Sequence, residues 1–368
     1  MLLNEISIFN YRSLSSVELS LSPKINCFIG SNGVGKTNLL DAVYYLSFCK
    51  SAIGASDSQH IKHDELFFLI QGSYVSDVGV NEEFSCGLKR GDKKQFKHNK
   101  KSYDKLSEHI GRVPLVMISP ADHNLISGGS DERRRFIDVV ISQYDKEYLH
   151  ALIRYNRALT QRNVMLRSGH ELDPEMMELV EQMMIAEAVK VYEGRKSFVE
   201  HLIPIFRHFY QEIAGLDEDV SLSYRSNLSD ESFAEQLAAS RYDDRRVGYT
   251  TKGVHKDELV MQLNGYAIKK EGSQGQNKSY LVALKLAQFD FLRRCSGETP
   301  ILLLDDIFDK LDSRRVEQIV KLVSGERFGQ IFITDVNRDH IDSILECVDG
   351  DYKLFEVAAG NVNLVKEK

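Results

Sequence analysis

The chain has 368 residues, 42% of them hydrophobic, and a formal net charge of −7. That length suits two domains or one large domain with an insertion, and that composition suits a globular core. No apolar run reaches the roughly 18 residues of a membrane span, and the net acidity argues weakly against nucleic-acid binding unless Lys and Arg are clustered.

Met1-Leu2-Leu3-Asn4-Glu5 has an early acid and no basic stretch, so no signal peptide is expected. The cysteines (Cys27, Cys49, Cys86, Cys295, Cys347) form no C-x-x-C pair. Their scatter argues for a reducing cytosol and against zinc or a disulfide framework, so the expected location is cytoplasmic.

Residues 2–9 alternate apolar and polar like a half-buried strand, and Val17–Leu21 alternates again. Ile25–Ile29 reads as a short buried strand. Gly30-Ser31-Asn32-Gly33-Val34-Gly35-Lys36-Thr37 follows it and fits the phosphate-loop pattern G-x-x-x-x-G-K-[ST]. Its glycines let backbone N–H groups wrap a phosphate. Lys36 supplies a point charge for the β- and γ-phosphates, and the Thr37 hydroxyl is placed to hold Mg²⁺. Asn38–Leu46 reads as a helix whose positive end aims at the same anion. The expected ligand is therefore ATP with Mg²⁺.

Phe67–Tyr74 and Glu83–Leu88 read as further strands. The basic stretch 89–101 between them and the next element holds Lys93, Lys94, Lys97, Lys100 and Lys101 and is expected to form an exposed hairpin. Arg133-Arg134-Arg135 makes a second basic cluster, and Arg154, Arg157, Arg162 and Arg167 a third. Together they suggest a nucleic-acid-facing surface. Pro114–Ile118 reads as a buried strand.

Long helices follow: one from Ser130, then Tyr144–Arg167 and Pro174–Tyr210, joined by a turn at Ser168-Gly169-His170. Met177, Val180, Met184, Ala188 and Val191 recur at helical spacing and predict a seam between two antiparallel helices. A strand is expected at Val220–Tyr224, a helix around Phe233–Ala239, and a hairpin turning at Asn264-Gly265 into Tyr266–Ile268.

Ser273-Gln274-Gly275-Gln276 opens a long helix and offers a second anion-contacting surface. Pro300–Asp306 is an apolar strand ending in two carboxylates. Asp305 is assigned to Mg²⁺, and Asp306 to orienting or deprotonating the attacking water. A helix (Arg314–Val323), a strand (Gln330–Thr334), a helix (about Asp339–Leu345) and a hairpin around Gly360-Asn361 close the chain. With two phosphate-contacting surfaces, the loop of one subunit and Ser273–Gln276 of another can clasp one ATP, which makes a two-fold dimer the economical assembly.

This combination and order resemble the ABC-type ATPase heads of the SMC-like proteins. There the signature is a Ser-Gly-Gly-Gln-like element before an Asp-rich strand and a D-loop, which Asp309-Lys310-Leu311-Asp312 is similar to. Four stretches narrow the resemblance to the RecF family over essentially the whole chain: Gly128–Asp138, Gln161-Arg162-Asn163, Ser273–Gln276 and Leu302–Asp312. The resemblance implies an α/β ABC-type P-loop ATPase head with an inserted helical arm. Residues 1–125 would be the N-terminal part of the head, 126–247 the arm, and 248–368 the C-terminal part of the head. It also implies an ATP-dependent dimer on double-stranded DNA at gap junctions, working with RecR and RecO to load RecA. An Asp where transporters place Glu suggests slow hydrolysis, a switch rather than a motor.

The chain departs from the family pattern at Gly253-Val254-His255-Lys256-Asp257-Glu258 and at Ser51-Ala52-Ile53, and Lys278 stands where the family has an Arg. The competing readings are another SMC-like ATPase, a transporter ATPase subunit, and a small-molecule P-loop phosphotransferase. The last would need a lid and an acceptor pocket, and would not need Ser273–Gln276.

Overall fold

A computed structural model describes residues 1–54, 56–76, 78–168, 173–229, 232–308, 311–325, 327–346 and 350–368. The chain divides into two compact units. The first comprises residues 1–123, 209–215 and 274–368, and the second residues 124–208 and 216–273.

The first unit holds two six-stranded sheets. One is antiparallel, in the order Leu14–Ser20, Leu2–Tyr11, Phe67–Val75, Asn81–Lys89, Gln95–His98, Lys101–Ser102. The other runs Asn361–Glu367, Tyr352–Ala358, Ile25–Ile29, Ile331–Asp335, Ile301–Asp305, Leu115–Ile118. Its last five strands are parallel, and Asn361–Glu367 closes one edge antiparallel. Strands covered on both faces read as unbroken apolar runs, and Leu302-Leu303-Leu304 and Ile331-Phe332-Ile333 are buried at every position. Phe28 stacks on Phe332 and on Phe355, with ring centroids 6.4 and 5.0 Å apart, locking three adjacent strands in register.

The helix Lys36–Phe48 buries Leu39, Leu40, Val43 and Leu46, somewhat longer than the expected Asn38–Leu46. It ends at Cys49 in the left-handed region (φ 54), whose N–H reaches Tyr45 O. The Lys94 ammonium donates to Cys49 O at 2.7 Å and to Asp57 Oδ2 at 2.7 Å, so a cation sits at the negative end of the helix.

The second unit packs the helices Ser130–Tyr144, Lys146–Arg167, Phe233–Val247 and most of Pro174–Ala214 with a three-stranded sheet of Tyr266–Ala267, Glu258–Leu263 and Val220–Arg225. The expected seam is present: Met177, Val180, Met184, Ala188 and Val191 are all buried. The helix at Phe233 runs eight residues beyond the expected Ala239, to Val247. The expected strand after Asn264-Gly265 stops at Ala267, and Ile268–Glu271 is a helical turn. The turn at Gly169-His170 lies outside the described residues.

Residues 248–273, expected in the head, group with the second unit. The cause is pairing. Glu258–Leu263 takes Val220–Arg225 as its antiparallel neighbour, and Glu258 receives Arg133 Nε and Nη2 at 2.6 and 2.9 Å.

The basic clusters divide the same way. Arg133 is held by Glu258, and Arg134 Nη1 donates to Asp257 O at 2.7 Å. Arg162 is fully buried against Asp244 at 2.6 Å and Glu181 at 3.1 Å. These arginines are bonded within the second unit.

His255 sits in this interior. One ring nitrogen, Nε2, lies 2.9 Å from Thr250 O and the other, Nδ1, 2.7 Å from the Tyr155 hydroxyl. A carbonyl only accepts, so Nε2 carries the proton and Nδ1 accepts from Tyr155. Burial pushes the His255 pKa down from 6.5 to about 4. The unfolded chain therefore takes up a proton near pH 6.5 that the folded chain refuses until about pH 4. Stability from this group is complete above pH 6.5 and falls as pH drops towards 4, with about 2 kcal/mol lost by pH 5. Urea denaturation of the wild type at pH 7 and pH 5 is expected to show that loss. In His255→Gln, which keeps a donor for Thr250 O, the loss should shrink by that amount; an unchanged pH dependence would assign it to other groups.

Candidate nucleotide site

The strand Ile25–Ile29 delivers the chain into residues 30–35, and the helix Lys36–Phe48 takes it out. Gly35 precedes the helix at φ +113, a conformation L side chains rarely adopt, and a Cβ there would lie 2.7 Å from Ser13 Oγ. A Cβ on Gly30 would lie 2.4 Å from Val357 O. The loop therefore lies too close to its surroundings for side chains at either end. Lys36 Nζ donates to Gly30 O at 2.7 Å and Ser31 O at 3.1 Å, curling the loop around its own ammonium. The residue before the helix, Gly35, has no side chain to cap its first N–H groups. A helix start and the buried Lys36 ammonium meet at this loop, an arrangement that fits a phosphate.

The strand Ile301–Asp305 ends beside it. Thr37 Oγ1 donates to Asp305 Oδ1 at 3.1 Å, and Thr334 Oγ1 donates to the same oxygen at 2.7 Å. Asp306 N–H in turn donates to Thr334 Oγ1 at 3.1 Å. One threonine hydroxyl thus ties both carboxylate residues to the neighbouring strand, where Thr334 is in register with Asp305. Asp306 sits in the left-handed region (φ 46), a strained backbone for a non-glycine residue. Its Oδ1 is buried with no hydrogen-bond partner among the described residues. Burial pushes both carboxyls above the usual range, Asp305 against its Thr334 and Thr37 hydrogen bonds and Asp306 against the Lys36 charge. A hydroxyl and a carboxylate converging at one point fit a small, hard divalent cation such as Mg²⁺.

A cleft of about 620 Å³ adjoins the loop, lined by Asn32, Gln274, Lys278, Asp306, Asp335 and His340 among others. Gln274, Gly275 and Gln276 form the first turn of the helix Gln274–Ser296, directly after Ser273. A Cβ on Gly275 would lie 2.7 Å from Arg315 Nη1. Lys278 Nζ lies 3.5 Å from Asp306 O. Asp312 caps the helix Ser313–Ser324, accepting from Arg315 N–H at 3.0 Å, with Leu311 just before it. Asp309 lies outside the described residues.

Sequence reasoning missed three participants. Thr334 is the first, and Asp335 the second. Asp335 pairs in register with Ile29, directly before the loop, and its Oδ2 lies 3.1 Å from His340 Nδ1. The only available signal was a Thr-Asp pair ending a buried strand. The third is Asp41, fully buried on the phosphate-loop helix. It accepts from the Tyr11 hydroxyl at 2.5 Å and from Ala52 N–H at 2.7 Å, and Ser51 Oγ lies 2.8 Å away. The Ser51-Ala52-Ile53 departure is therefore a tether to the helix.

Of the hairpin lysines, Lys93, Lys100 and Lys101 are exposed, and Lys97 is half-buried. Lys94 is a correction: its ammonium is held by Asp57, Cys49 O and the Tyr45 hydroxyl, and presents no charge for a polyanion.

A parallel sheet with a phosphate loop at one strand and paired carboxylates two strands away defines an ABC-type P-loop ATPase head. A family model described as an AAA ATPase domain matches residues 1–123. The DNA replication and repair protein RecF of Phocaeicola vulgatus is 61% identical, covering 100% of this chain and 99% of that protein. The RecF of Bacteroides fragilis is 59% identical over the full length of both. A solved structure of the recombination mediator protein RecF with ATP, in the RecFOR pathway, superposes with a TM-score of 0.89 at 28% identity, covering 99% of this chain and 98% of that one. The Smc head of Pyrococcus furiosus shares the fold, with a TM-score of 0.60 at 16% identity and coverage of 100% and 96%. The chain belongs to the RecF family of DNA replication and repair proteins. No helix among the described residues is long and apolar enough to cross a membrane.

Thr334→Val removes the hydroxyl that both carboxylate residues share while keeping its shape. It is expected to lower steady-state phosphate release about tenfold, the scale of one hydrogen bond to a charged group. Fluorescent-nucleotide affinity should stay near the wild type. Unchanged turnover would show that Asp305 and Asp306 hold their positions without Thr334.

Proposed function

We propose that this chain is an ATP-dependent DNA-binding protein of recombinational gap repair and replication restart, acting in the cytosol. The observation that carries the reading is the hydrogen-bonded run from Thr37 through Asp305 and Thr334 to Asp306, at the mouth of a phosphate cradle. Gly30, Ser31, Asn32, Gly33, Val34, Gly35, Lys36 and Thr37 would bind the nucleotide phosphates, with Lys36 turning from the loop carbonyls to the terminal phosphates. Mg²⁺ held by Thr37 and Asp305 would neutralise phosphate charge. Asp306 would orient and deprotonate the attacking water. Its carboxylate is one methylene shorter than the glutamate of faster ATPases, which fits slow hydrolysis used as a release switch.

Ser273, Gln274, Gly275 and Gln276 would contact the nucleotide of a second copy, with Leu311, Asp312 and, by resemblance, Asp309 beside them. ATP would then join two copies around double-stranded DNA near a single-strand junction, where RecR and RecO partners help load RecA. The solved RecF structures placed in the RecFOR pathway support that assignment. A second reading, in which the signature helix serves its own subunit, is favoured by one fact: Gln274 and Lys278 share a cleft with Asn32 and Asp306.

Sedimentation with ATP and a gapped duplex separates the two readings. The wild type is expected to dimerise, Lys36→Ala to stay monomeric, and Ser273→Arg to bind nucleotide as a monomer. Loss of nucleotide binding in Ser273→Arg would favour the second reading, and a wild type that stays monomeric with ATP bound would remove the clasp.

Lys93, Lys97, Lys100 and Lys101 remain the candidate DNA contacts on the hairpin. Reversing these charges should weaken duplex binding and flatten the salt dependence by about one in log–log slope per lost contact. An unchanged slope, measured by anisotropy across a salt series, would return the hairpin to an ordinary solvated edge.

A further inference from the structure

Gln161-Arg162-Asn163 stands out in the sequence but carries no role in the proposed nucleotide site. In the second unit it does something else. Arg162, with no exposed surface, donates from Nη1 to Asp244 Oδ2 at 2.6 Å and to Thr250 Oγ1 at 2.9 Å. Asn163 Oδ1 accepts from Thr250 N–H and Thr250 Oγ1, both at 2.8 Å. Asp244 Oδ1 accepts from Thr251 N–H at 2.9 Å and Thr251 Oγ1 at 2.6 Å. His255 adds its bond to Thr250 O, and Arg167 Nε donates to Gly248 O at 3.0 Å. A buried arginine, an asparagine and an aspartate are thus spent on holding one surface turn, residues 248–251, against the end of the helix Phe233–Val247. The bonds from Arg162, Asn163, Arg167, Asp244 and His255 to residues 248–251 hold the turn in one geometry.

The surface held this way is basic and aromatic in a chain of net charge −7. Residues 241–256 carry Arg241, Arg245, Arg246, Lys252 and Lys256 against Asp243 and the buried Asp244; Arg241 is held by Glu181, and Arg246 Nη2 lies 3.2 Å from Asp243 on the exposed helix surface. Tyr242 is 80% exposed and Tyr249 44%. Lys256 Nζ lies 5.1 Å from the Tyr249 ring centroid. Tyr242, Arg245 and Arg246 share one helix face at i, i+3 and i+4. The preference of cations for a helix C-terminus accounts for Arg245 and Arg246 alone. It does not account for two exposed tyrosine rings or for the buried clamp on the turn that carries Tyr249.

We propose that the end of the helix Phe233–Val247 and the turn Tyr249–Lys256 form a platform for single-stranded nucleic acid. Bases stack on Tyr242 and Tyr249, and phosphates meet Arg245, Arg246 and Lys252. Rings flanked by cations suit a strand whose bases are unpaired; a duplex hides those faces. The platform lies outside the nucleotide site and the hairpin, and it rests on the reading of this chain as a nucleic-acid-binding protein.

The test is anisotropy of fluorescein-labelled oligo(dT), and of a duplex of equal length, on the full chain with ATP. Tyr242→Ala with Tyr249→Ala is expected to lower oligo(dT) affinity about tenfold and leave duplex affinity unchanged, since stacking is sequence-tolerant but needs an open base. Tyr242→Phe with Tyr249→Phe should restore it. Arg245→Gln with Arg246→Gln should reduce the oligo(dT) salt slope by about 0.7 per lost contact. Wild-type oligo(dT) affinity in the alanine variant, or an equal loss on the duplex, overturns the platform. So does a polyglutamate probe peptide that displaces oligo(dT) from this surface at lower concentration, which would assign the surface to an acidic protein partner. A chain that binds neither nucleic acid would remove the wider reading instead.

Discussion

The 3.1 Å hydrogen bond from Thr37 to Asp305 spans 268 residues of sequence, and the arrangement of the first unit is what makes it possible. Asp305 ends one parallel strand and Thr37 follows another across the loop 30–35, with Ile331–Asp335 between those strands. In such a sheet the carboxyl ends of the strands all open on one edge, so chemistry from distant segments converges there. The intervening strand contributes the hydroxyl that fixes the Asp305 carboxylate and the Asp306 backbone. Without Thr334, Asp306 would lose one N–H partner, and its left-handed backbone one of the bonds that hold it.

The helix that starts at the phosphate loop is constrained along its length. Gly35 admits its first turn close to Ser13, Asp41 is bound by Tyr11 and Ala52, and Lys94 caps its far end. Asp41 and Lys94 link the helix to the antiparallel sheet and the loop after it. A rigid helix keeps the orientation of its N-terminal N–H groups fixed, which is what a phosphate site needs.

The second unit relies on buried ion networks. Arg162 and Arg195 each sit among carboxylates: Arg162 with Glu181 and Asp244, Arg195 with Asp138 and Asp257. Such networks add little net stability over apolar packing, but breaking one is costly, so they specify geometry. Here they hold turns and strand ends that an apolar core cannot grip. Their presence also explains why an arginine-rich stretch need not be a polyanion surface.

Much of the chemistry was legible in the sequence because it is local. Eight consecutive residues, 30–37, encode the loop; an unbroken apolar run encodes the carboxylate strand; and 3.6-residue spacing encodes the Met177–Val191 seam. The family resemblance followed from those motifs and their order. Which cations are free was not legible. Lys93 and Lys94 are identical neighbours in sequence, yet one is exposed and the other is held against Asp57, 37 residues away. Thr334 and Asp335 carried no motif, because their role comes from register with Asp305 and Ile29 on neighbouring strands. The membership of residues 248–273 was set by a strand pairing that no local pattern announces. The sequence by itself determined most of the elements, the phosphate-loop pattern and the order of the motifs. Only the tertiary structure decided which charges are neutralised and which hydroxyl joins the Asp305 carboxylate to the Asp306 backbone, because both depend on groups brought together from distant parts of the chain.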